Sequence, residues 1–180
     1  MNDLHADFSL AESLIQAGLL KEIDGQRIKS EAPNGAVLIT CGDKDRFRQH
    51  FGGCSFVDIH PLCLNGGGVL LGQGVDPVRQ AVLREDCSDA LDLKHLNFVL
   101  SLSHFPCGKC GKLGIGLREA VLRTLEGKAY LKEHISKERL RGVLPLISID
   151  WRSANIGQED GVKLYALRLQ DTERIATFDS

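Results

Sequence analysis

The hydrophobic positions near the amino end predict an amphipathic helix over residues 9–20. Ser9 and Glu12 have the three-residue spacing of a capping box, which marks the start of a helix. The apolar face of this helix consists of Leu10, Leu14 and Ile15. Such a face needs a cover, which either the body of the domain or a partner subunit can provide. A polar linker follows and ends in a turn signal at Gly35.

Five short, β-prone runs further along the chain predict strands. They cover residues 36–41, 55–59, 96–103, 143–151 and 162–169. The runs at 36–41 and 96–103 are apolar without alternation, as in strands buried on both faces of a parallel sheet. The last run alternates polar with apolar residues, which favours an edge or antiparallel position. The second leads into Asn65–Gly68, which we expect to be a flexible glycine-bearing segment.

Helical patterns separate these strands. Asp76 precedes Pro77 as a capping residue, and the apolar spacing predicts a helix up to residue 84. Two further helical segments are expected over residues 116–130 and 130–141. Strands alternating with helices predict an α/β fold with a mostly parallel sheet and helices on its faces.

Composition and chain length favour a single globular domain. The chain has 180 residues, of which 43% are hydrophobic and 26% charged. No repeat or break in composition divides the chain, so we expect one domain over residues 1–180. Within that domain, residues 1–33 form an amino-terminal helical arm and residues 34–180 form the core.

Charge and hydropathy restrict the expected partners. The net charge of −2 gives no electrostatic reason to expect binding to nucleic acid or to an anionic membrane. No stretch approaches the roughly 20 apolar residues that a membrane span requires. The first residues lack the basic start and apolar run of a secretory signal. We therefore expect a cytoplasmic protein that acts on a small-molecule substrate.

Six cysteines require an explanation in such a protein. A reducing compartment disfavours disulfides, so cysteines there are mainly buried apolar residues or metal ligands. Cys54, Cys63 and Cys87 have no His or Cys partner at short ligand spacing, and we expect them to be packing residues. The remaining cysteines are Cys41, Cys107 and Cys110.

Cys41, His104 and Cys107 form the candidate site. Cys41 ends one predicted strand, and the other two residues fall in the loop after the strand at 96–103. Ligand sites in open α/β sheets form beyond the carboxyl ends of the strands. If these strands are neighbours, two thiolates and one imidazole meet at one point, and Zn²⁺ accepts such ligands tetrahedrally. Three protein ligands leave a fourth position for water, as in catalytic zinc sites.

Two short motifs in this region resemble those of the β-class carbonic anhydrases. They are Cys41-Gly42-Asp43 and His104-Phe105-Pro106-Cys107-Gly108. The resemblance extends over residues 36–150 in the order of elements, including the glycine-bearing segment between the motifs. It implies a Rossmann-like α/β fold, an amino-terminal helix that embraces a partner, and homodimers or larger assemblies. It also implies reversible hydration of carbon dioxide, or of a similar small electrophile, by a zinc-bound hydroxide.

The same resemblance implies roles for individual residues. Cys41, His104 and Cys107 match the family's zinc ligands, and Asp43 matches the acidic partner of the zinc-bound solvent. The family's arginine falls at position 45, where this chain has Asp45, with Arg46 next to it. That arginine pairs with the aspartate and keeps it off the metal. Either a local bulge allows Arg46 to take this role, or Asp43 becomes a fourth ligand and closes the site.

Cys110 supports two alternatives. As a fourth ligand it would give a closed, structural zinc site and a catalytically inactive homologue. The Cys107-Gly108-Lys109-Cys110 segment also matches a CxxC redox pair, in which Lys109 would lower a thiol pKa. A third reading places Cys110 under the helix that follows, as a packing residue. The hypotheses are therefore a zinc-dependent lyase, an inactive zinc-binding homologue and a thiol redox protein.

Overall fold

The structure, a computed structural model, describes residues 3–42, 58–154 and 161–179. The strands in these residues are β1 (Lys21–Glu22), β2 (Ala36–Thr40), β3 (Ile59–Cys63), β4 (Phe98–Phe105), β5 (Gly142–Asp150) and β6 (Val162–Ala166). The α-helices are α1 (Leu4–Gln16), α2 (Gly25–Glu31), α3 (Pro77–Leu93), α4 (Gly108–Lys112), α5 (Leu117–His134) and α6 (Thr172–Ala176). Short 3₁₀ helices cover Gly67–Leu71, Trp151–Ala154 and Leu169–Asp171.

The described strands form one mixed sheet in the order β1-β6-β5-β4-β2-β3. Strands β3, β2, β4 and β5 run parallel, whereas β6 is antiparallel to β5 and β1 is antiparallel to β6. The predicted α/β class with a mostly parallel, helix-flanked sheet is confirmed, and the arrangement is consistent with a Rossmann-like fold. The antiparallel position expected for the last strand is also confirmed.

Alternating side chains bury both faces of the central strands. Val37 and Val99 join a core cluster with residues of α3 and α5, whereas Leu38 and Leu100 join another with Ile28 of α2. This two-sided burial accounts for the unbroken apolar runs in β2 and β4. No helix within the described ranges is long and apolar enough to cross a membrane.

The first helix begins earlier than the sequence pattern predicts. It starts at Leu4, and the Asp3 side chain accepts hydrogen bonds from the backbone N–H groups of His5 and Ala6. Ser9 therefore lies inside the helix, and the capping box assigned to it is wrong. An aspartate cap satisfies the free N–H groups of the first turn, so the helix includes residues ahead of the apolar stripe.

The apolar face of α1 is covered by the body of the same chain. The Phe8 ring lies 5.4 Å from the Phe105 ring and 5.6 Å from Trp151, measured between ring centroids. Ala11 and Leu14 are fully buried in the same core cluster. Of the two covers considered for this face, the structure places the domain body against it.

Three other segments differ from the predicted elements. The supposed polar linker contains β1 and α2, because Asp24 caps α2 and Ile28 is fully buried in the core. The second predicted strand, over residues 55–59, corresponds to β3, which lies later in the chain at Ile59–Cys63. Residues 55–57 lie outside the described ranges. A separate helix over 130–141 is wrong: α5 continues to His134, and buried Ile135 and Leu140 then hold the chain in a turn against the core.

The helix predicted from Asp76 is confirmed and extends further than the pattern indicates. The Asp76 side chain accepts a hydrogen bond from the Arg79 backbone N–H, and Pro77 occupies the first turn. The helix continues to Leu93 because its later turns bury Leu83, Cys87 and Leu91 against the sheet. It thereby covers one face of the sheet.

Candidate metal centre

The adjacent parallel strands β2 and β4 bring Cys41 and His104 to the same edge of the sheet. Cys41 directly follows β2, and the register pairs Ile39 of β2 with Ser101 of β4. His104 is itself a residue of β4, so its predicted position in the following loop is wrong. Hydrogen bonding to β5 continues as far as Phe105 and fixes the backbone at His104. The imidazole therefore projects from an ordered strand.

Cys107 reaches the same position through a short connection. A cis peptide bond joins Phe105 to Pro106, and Cys107 then occupies the N-cap position of α4 in an extended conformation. The end of β2, the end of β4 and the start of α4 thus bring Cys41, His104 and Cys107 together, although Cys41 is far from the other two in sequence.

The ligand atoms of these three residues all lie within 4.8 Å of one another. A tetrahedral zinc site separates its ligand atoms by about 3.5–3.8 Å, given Zn–S near 2.3 Å and Zn–N near 2.0–2.1 Å. A contraction of about 1.3 Å or less would therefore bring the group to ligating distances. His104 and Cys107 are each 7% exposed, and Cys41 is half-buried. The group can hold a metal ion and is accessible from the Cys41 side.

The buried imidazole of His104 is chemically suited to bind a metal ion. Neither Nδ1 nor Nε2 has a hydrogen-bond partner within the described part of the chain, although both atoms are inaccessible to solvent. Burying such polar atoms without partners costs about 1–3 kcal/mol each. A metal ion bound to one ring nitrogen would remove part of this cost. The donor set of two sulfurs and one nitrogen fits zinc.

The thiols form a chain in which each changes its neighbour's acidity. Contact with the Cys107 thiol and burial raise the pKa of Cys41 to about 11, against the opposing effects of His104 and the Gly66 N–H. The Cys110 thiol raises the pKa of Cys107, and Cys107 in turn lowers that of Cys110. Both candidate ligand thiols are therefore protonated at neutral pH before a metal binds.

Cys110 lies next to Cys107 but is not one of the three mutually close ligand atoms. It is 2% exposed and belongs to a small cluster with Val69, Cys107 and Ala120 of α5. The packing role under the following helix, one of the readings from the sequence, is confirmed. The Cys110 side chain therefore packs in the hydrophobic interior beside Cys107.

The glycine-bearing segment forms one wall of the site. Gly66 donates a backbone hydrogen bond to Cys41 Sγ at 3.4 Å, and Gly66, Gly67 and Gly68 are buried. A side chain at Gly67 would bring its Cβ within 2.5 Å of the Leu102 carbonyl oxygen and 2.7 Å of the Cys41 nitrogen. The expectation of a flexible segment is wrong, because these glycines allow the backbone to pack directly against both strands.

A buried polar layer supports this wall, and the sequence reading missed it. Ser103 of β4 and Thr124 of α5 share a short hydrogen bond of 2.5 Å, and Thr124 also donates to the Ala120 carbonyl. A Cβ at Gly68 would lie 2.7 Å from Ser101 Oγ and 3.0 Å from Ser103 Oγ. Ser101 and Ser103, at alternate positions in an otherwise apolar strand, were the feature of the sequence that could have indicated this layer.

The remaining sequence predictions for site and cysteine residues have different outcomes. Asp43, Arg46 and Cys54 lie outside the described residues. Cys87 is buried in the core, as predicted. Cys63 is exposed, so the packing role predicted for it is wrong; it ends β3, the outermost strand on its side of the described sheet.

Comparison with known proteins adds no family assignment to this geometry. No protein-family model matches the chain, and no curated protein sequence matches it.

Proposed function

We propose that Cys41, His104 and Cys107 bind one zinc ion and that this site catalyses the reversible hydration of carbon dioxide to bicarbonate. The observation that carries the proposal is the convergence of the three ligand atoms, one of them on a buried imidazole whose ring nitrogens have no hydrogen-bond partner among the described residues. The resemblance of the two ligand-bearing motifs to those of β-class carbonic anhydrases supplies the reaction.

The ligand set determines what chemistry the metal can provide. Held by these three residues, zinc would act as a Lewis acid that lowers the pKa of water and so would supply a nucleophile near neutral pH. Two thiolates cancel its formal charge, which makes this effect weaker than at a site with three histidines. A further group that accepts the proton or orients the nucleophile therefore matters more here.

Asp43 and Arg46 are proposed to provide this assistance. Asp43 is two residues beyond the ligand Cys41, and we propose that its carboxylate accepts a hydrogen bond from the attacking water. Arg46 would pair with Asp43 and hold it away from the metal. Because the arginine lies at position 46 and not at position 45, activity depends on whether Arg46 can form this pair with Asp43.

Metal analysis and carbon dioxide hydration measured on the same preparations test the proposal. We expect one zinc per chain and a saturable hydration rate above that of buffer between pH 7 and 9. Cys41→Ser and His104→Ala should lose both the zinc and the rate. Cys63→Ser and His5→Ala, which replace exposed residues of the same types, are the matched controls and should retain both.

The inactive homologue is distinguished by zinc without turnover. A preparation that holds one zinc per chain and hydrates carbon dioxide no faster than buffer would refute the enzymatic proposal. X-ray absorption at the zinc edge would then identify a third sulfur, which indicates Cys110. An added oxygen fits either water or Asp43, and a change of the spectrum in an Asp43 variant assigns it to Asp43. Cys110→Ser and Asp43→Asn provide the corresponding variants.

The contact between Cys107 and Cys110 is the observation that favours the redox alternative. That function requires metal-free protein and a reversible Cys107–Cys110 disulfide. Mass spectrometry of alkylated protein after equilibration in glutathione buffers would detect it. Full alkylation of both thiols across these buffers, together with bound zinc, would exclude a redox role.

A further inference from the structure

A large cavity lies at the end of the sheet opposite the metal centre. Its volume is about 1370 Å³, and it opens where β4 and β5 begin, near Phe98 and Gly142. Strand β4 connects the two regions, with His104 six residues beyond Phe98. At about 3.3 Å per residue the two sites are about 20 Å apart, so the cavity is separate from the metal centre.

Six basic residues line this cavity, and four of them, Lys21, Lys128, Lys132 and Arg141, form no ion pair within the described residues. Lys128 and Lys132 lie one turn apart on α5, and Arg141 directly precedes β5. Like charges at this helical spacing destabilise the helix unless an anion lies between them.

The acidic residues around the cavity are already occupied. Glu31 pairs with Arg27 at 2.8 Å, and Glu22 pairs with Lys163 at 3.8 Å. Asp24 caps α2 by accepting a hydrogen bond from the Arg27 backbone N–H. Within the described lining, the positive charge contributed by α5 and Arg141 is therefore offset only in part, by Glu31 acting on Lys128.

Lys128 is half-buried and lies close enough to Lys132 for their charges to interact. Burial, followed by the neighbouring charge of Lys132, lowers the pKa of Lys128, and Glu31 opposes the shift only in part. The cavity also has an apolar component, since Phe98 is buried there and Leu144 is half-buried. A small ligand with anionic ends and a carbon skeleton matches both features.

We propose that this cavity binds a small organic dianion, bearing phosphate or carboxylate groups, through Lys128, Lys132 and Arg141. The recess is concave, and within the described residues its unpaired positive charge lies on these three side chains and on Lys21. A polyanionic macromolecule would need a longer basic surface than this. The proposal does not depend on the function of the metal centre.

Inorganic phosphate and succinate are suitable probes because they represent the two ligand classes and bind zinc weakly. Titrations at constant ionic strength, followed by amide chemical shifts, should move the signals of Phe98 and Gly142 with at least one probe. Lys132→Glu combined with Arg141→Glu should raise the dissociation constant tenfold or more. Lys137→Glu removes an exposed lysine outside the cavity and should change it less than twofold.

Comparing the two probes identifies the class of ligand, and comparing the variants tests whether the ligand binds in this cavity. Saturable shifts with phosphate alone indicate phosphate esters, and shifts with succinate alone indicate dicarboxylates. The proposal is overturned if neither probe gives saturable shifts at 10 millimolar. It is also overturned if the doubly substituted chain binds as well as the native one. Should that chain fail to fold, Lys132→Ala alone, with the same shift mapping, makes the decision.

Discussion

Gly67 is the residue whose backbone is most tightly constrained at the metal centre. It has a φ of +54° and packs against the strand ends that carry Cys41 and the residues preceding His104. L-residues with side chains rarely adopt this φ, and the space for a Cβ is already filled by backbone atoms. The wall of the site therefore depends on glycine at this position.

Gly67→Ala should destabilise the fold by about 2–5 kcal/mol, combining left-handed backbone strain with overpacking. Zinc content should fall in the same variant, because Cys41 would have to move. Urea unfolding and metal analysis provide the measurements. Gly74→Ala is the matched control, since Gly74 has a φ of +75° but open space around it, and should cost only about 1–2 kcal/mol. Equal losses in the two variants would contradict this account.

The protonated thiols of Cys41 and Cys107 make metal binding dependent on pH. Both have raised pKa values in the metal-free protein, about 11 for Cys41, and a ligating thiolate must release its proton. The apparent zinc affinity should therefore increase with pH, by up to about a hundredfold per unit when two protons leave. Competition with a chromophoric chelator between pH 6 and 8 measures the slope. Cys41→Ser should approximately halve it on the logarithmic scale, and a flat profile would rule out thiolate ligation.

At the scale of elements, one carboxylate joins the amino-terminal helix to the longest helix. Asp7 of α1 accepts a hydrogen bond from the Leu117 backbone N–H at 3.0 Å, in the first turn of α5. Its other oxygen has no partner in the described residues, and burial raises the pKa of the carboxyl group. The hydrogen bond stabilises the start of α5, whereas the charge is partly desolvated.

Asp7→Ala should lower the free energy of unfolding by about 1 kcal/mol, because the Leu117 N–H loses its acceptor. Asp7→Asn retains an acceptor oxygen and should be close to neutral or stabilising at pH 7. A raised pKa in the folded state means that this carboxyl stabilises the fold at low pH and loses that contribution as the pH rises above the ordinary value of 3.8. Urea unfolding at pH 4 and pH 7 should show this pH dependence in the native chain and not in Asp7→Asn. Identical losses in both variants would show that the acceptor is unimportant.

At the scale of the whole molecule, the metal centre joins segments that are far apart in sequence. Cys41 follows β2, while His104 and Cys107 belong to β4 and the start of α4. A ligand that binds only the folded state stabilises it, by about 4 kcal/mol at one thousand times its dissociation constant. His104 would add to this coupling, because its buried ring nitrogens have no hydrogen-bond partner among the described residues.

Removing zinc with a chelator should therefore lower the melting temperature of the native chain by several degrees or more. Restoring one equivalent of zinc should reverse the change. In His104→Ala the melting temperature should not respond to zinc or chelator, whereas His5→Ala should behave as the native chain does. Calorimetry measures the shift. If zinc does not change the melting temperature of the native chain, the result would contradict metal binding by the folded state.

Assembly is a second property at this scale, and it rests on the resemblance alone. The amino-terminal helix of this chain covers its own domain, with Phe8 buried between Phe105 and Trp151. We still propose a homodimer or larger homo-oligomer, formed through surfaces other than this apolar face. Sedimentation velocity over a hundredfold range of protein concentration would detect it.

Local patterns in the sequence determined the class of the fold and the identity of the candidate ligands. The apolar runs of β2 and β4 predicted buried parallel strands because two-sided burial removes the alternation of polar residues. Cys41, His104 and Cys107 could be selected because soft donors at strand ends suit a metal. Helix limits were less accurate, since Asp3 could be identified as a cap only once its contacts were known.

Only the tertiary structure decided which distant groups meet. The order of β2 beside β4 placed Cys41 next to His104, and packing converted an apparently flexible run of glycines into a buried wall. The same is true of the cavity, which Lys132 and Arg141 both line although a turn separates them in sequence. Periodicity reports the environment of one segment at a time, whereas a site depends on the register and packing of several segments, which no local pattern encodes.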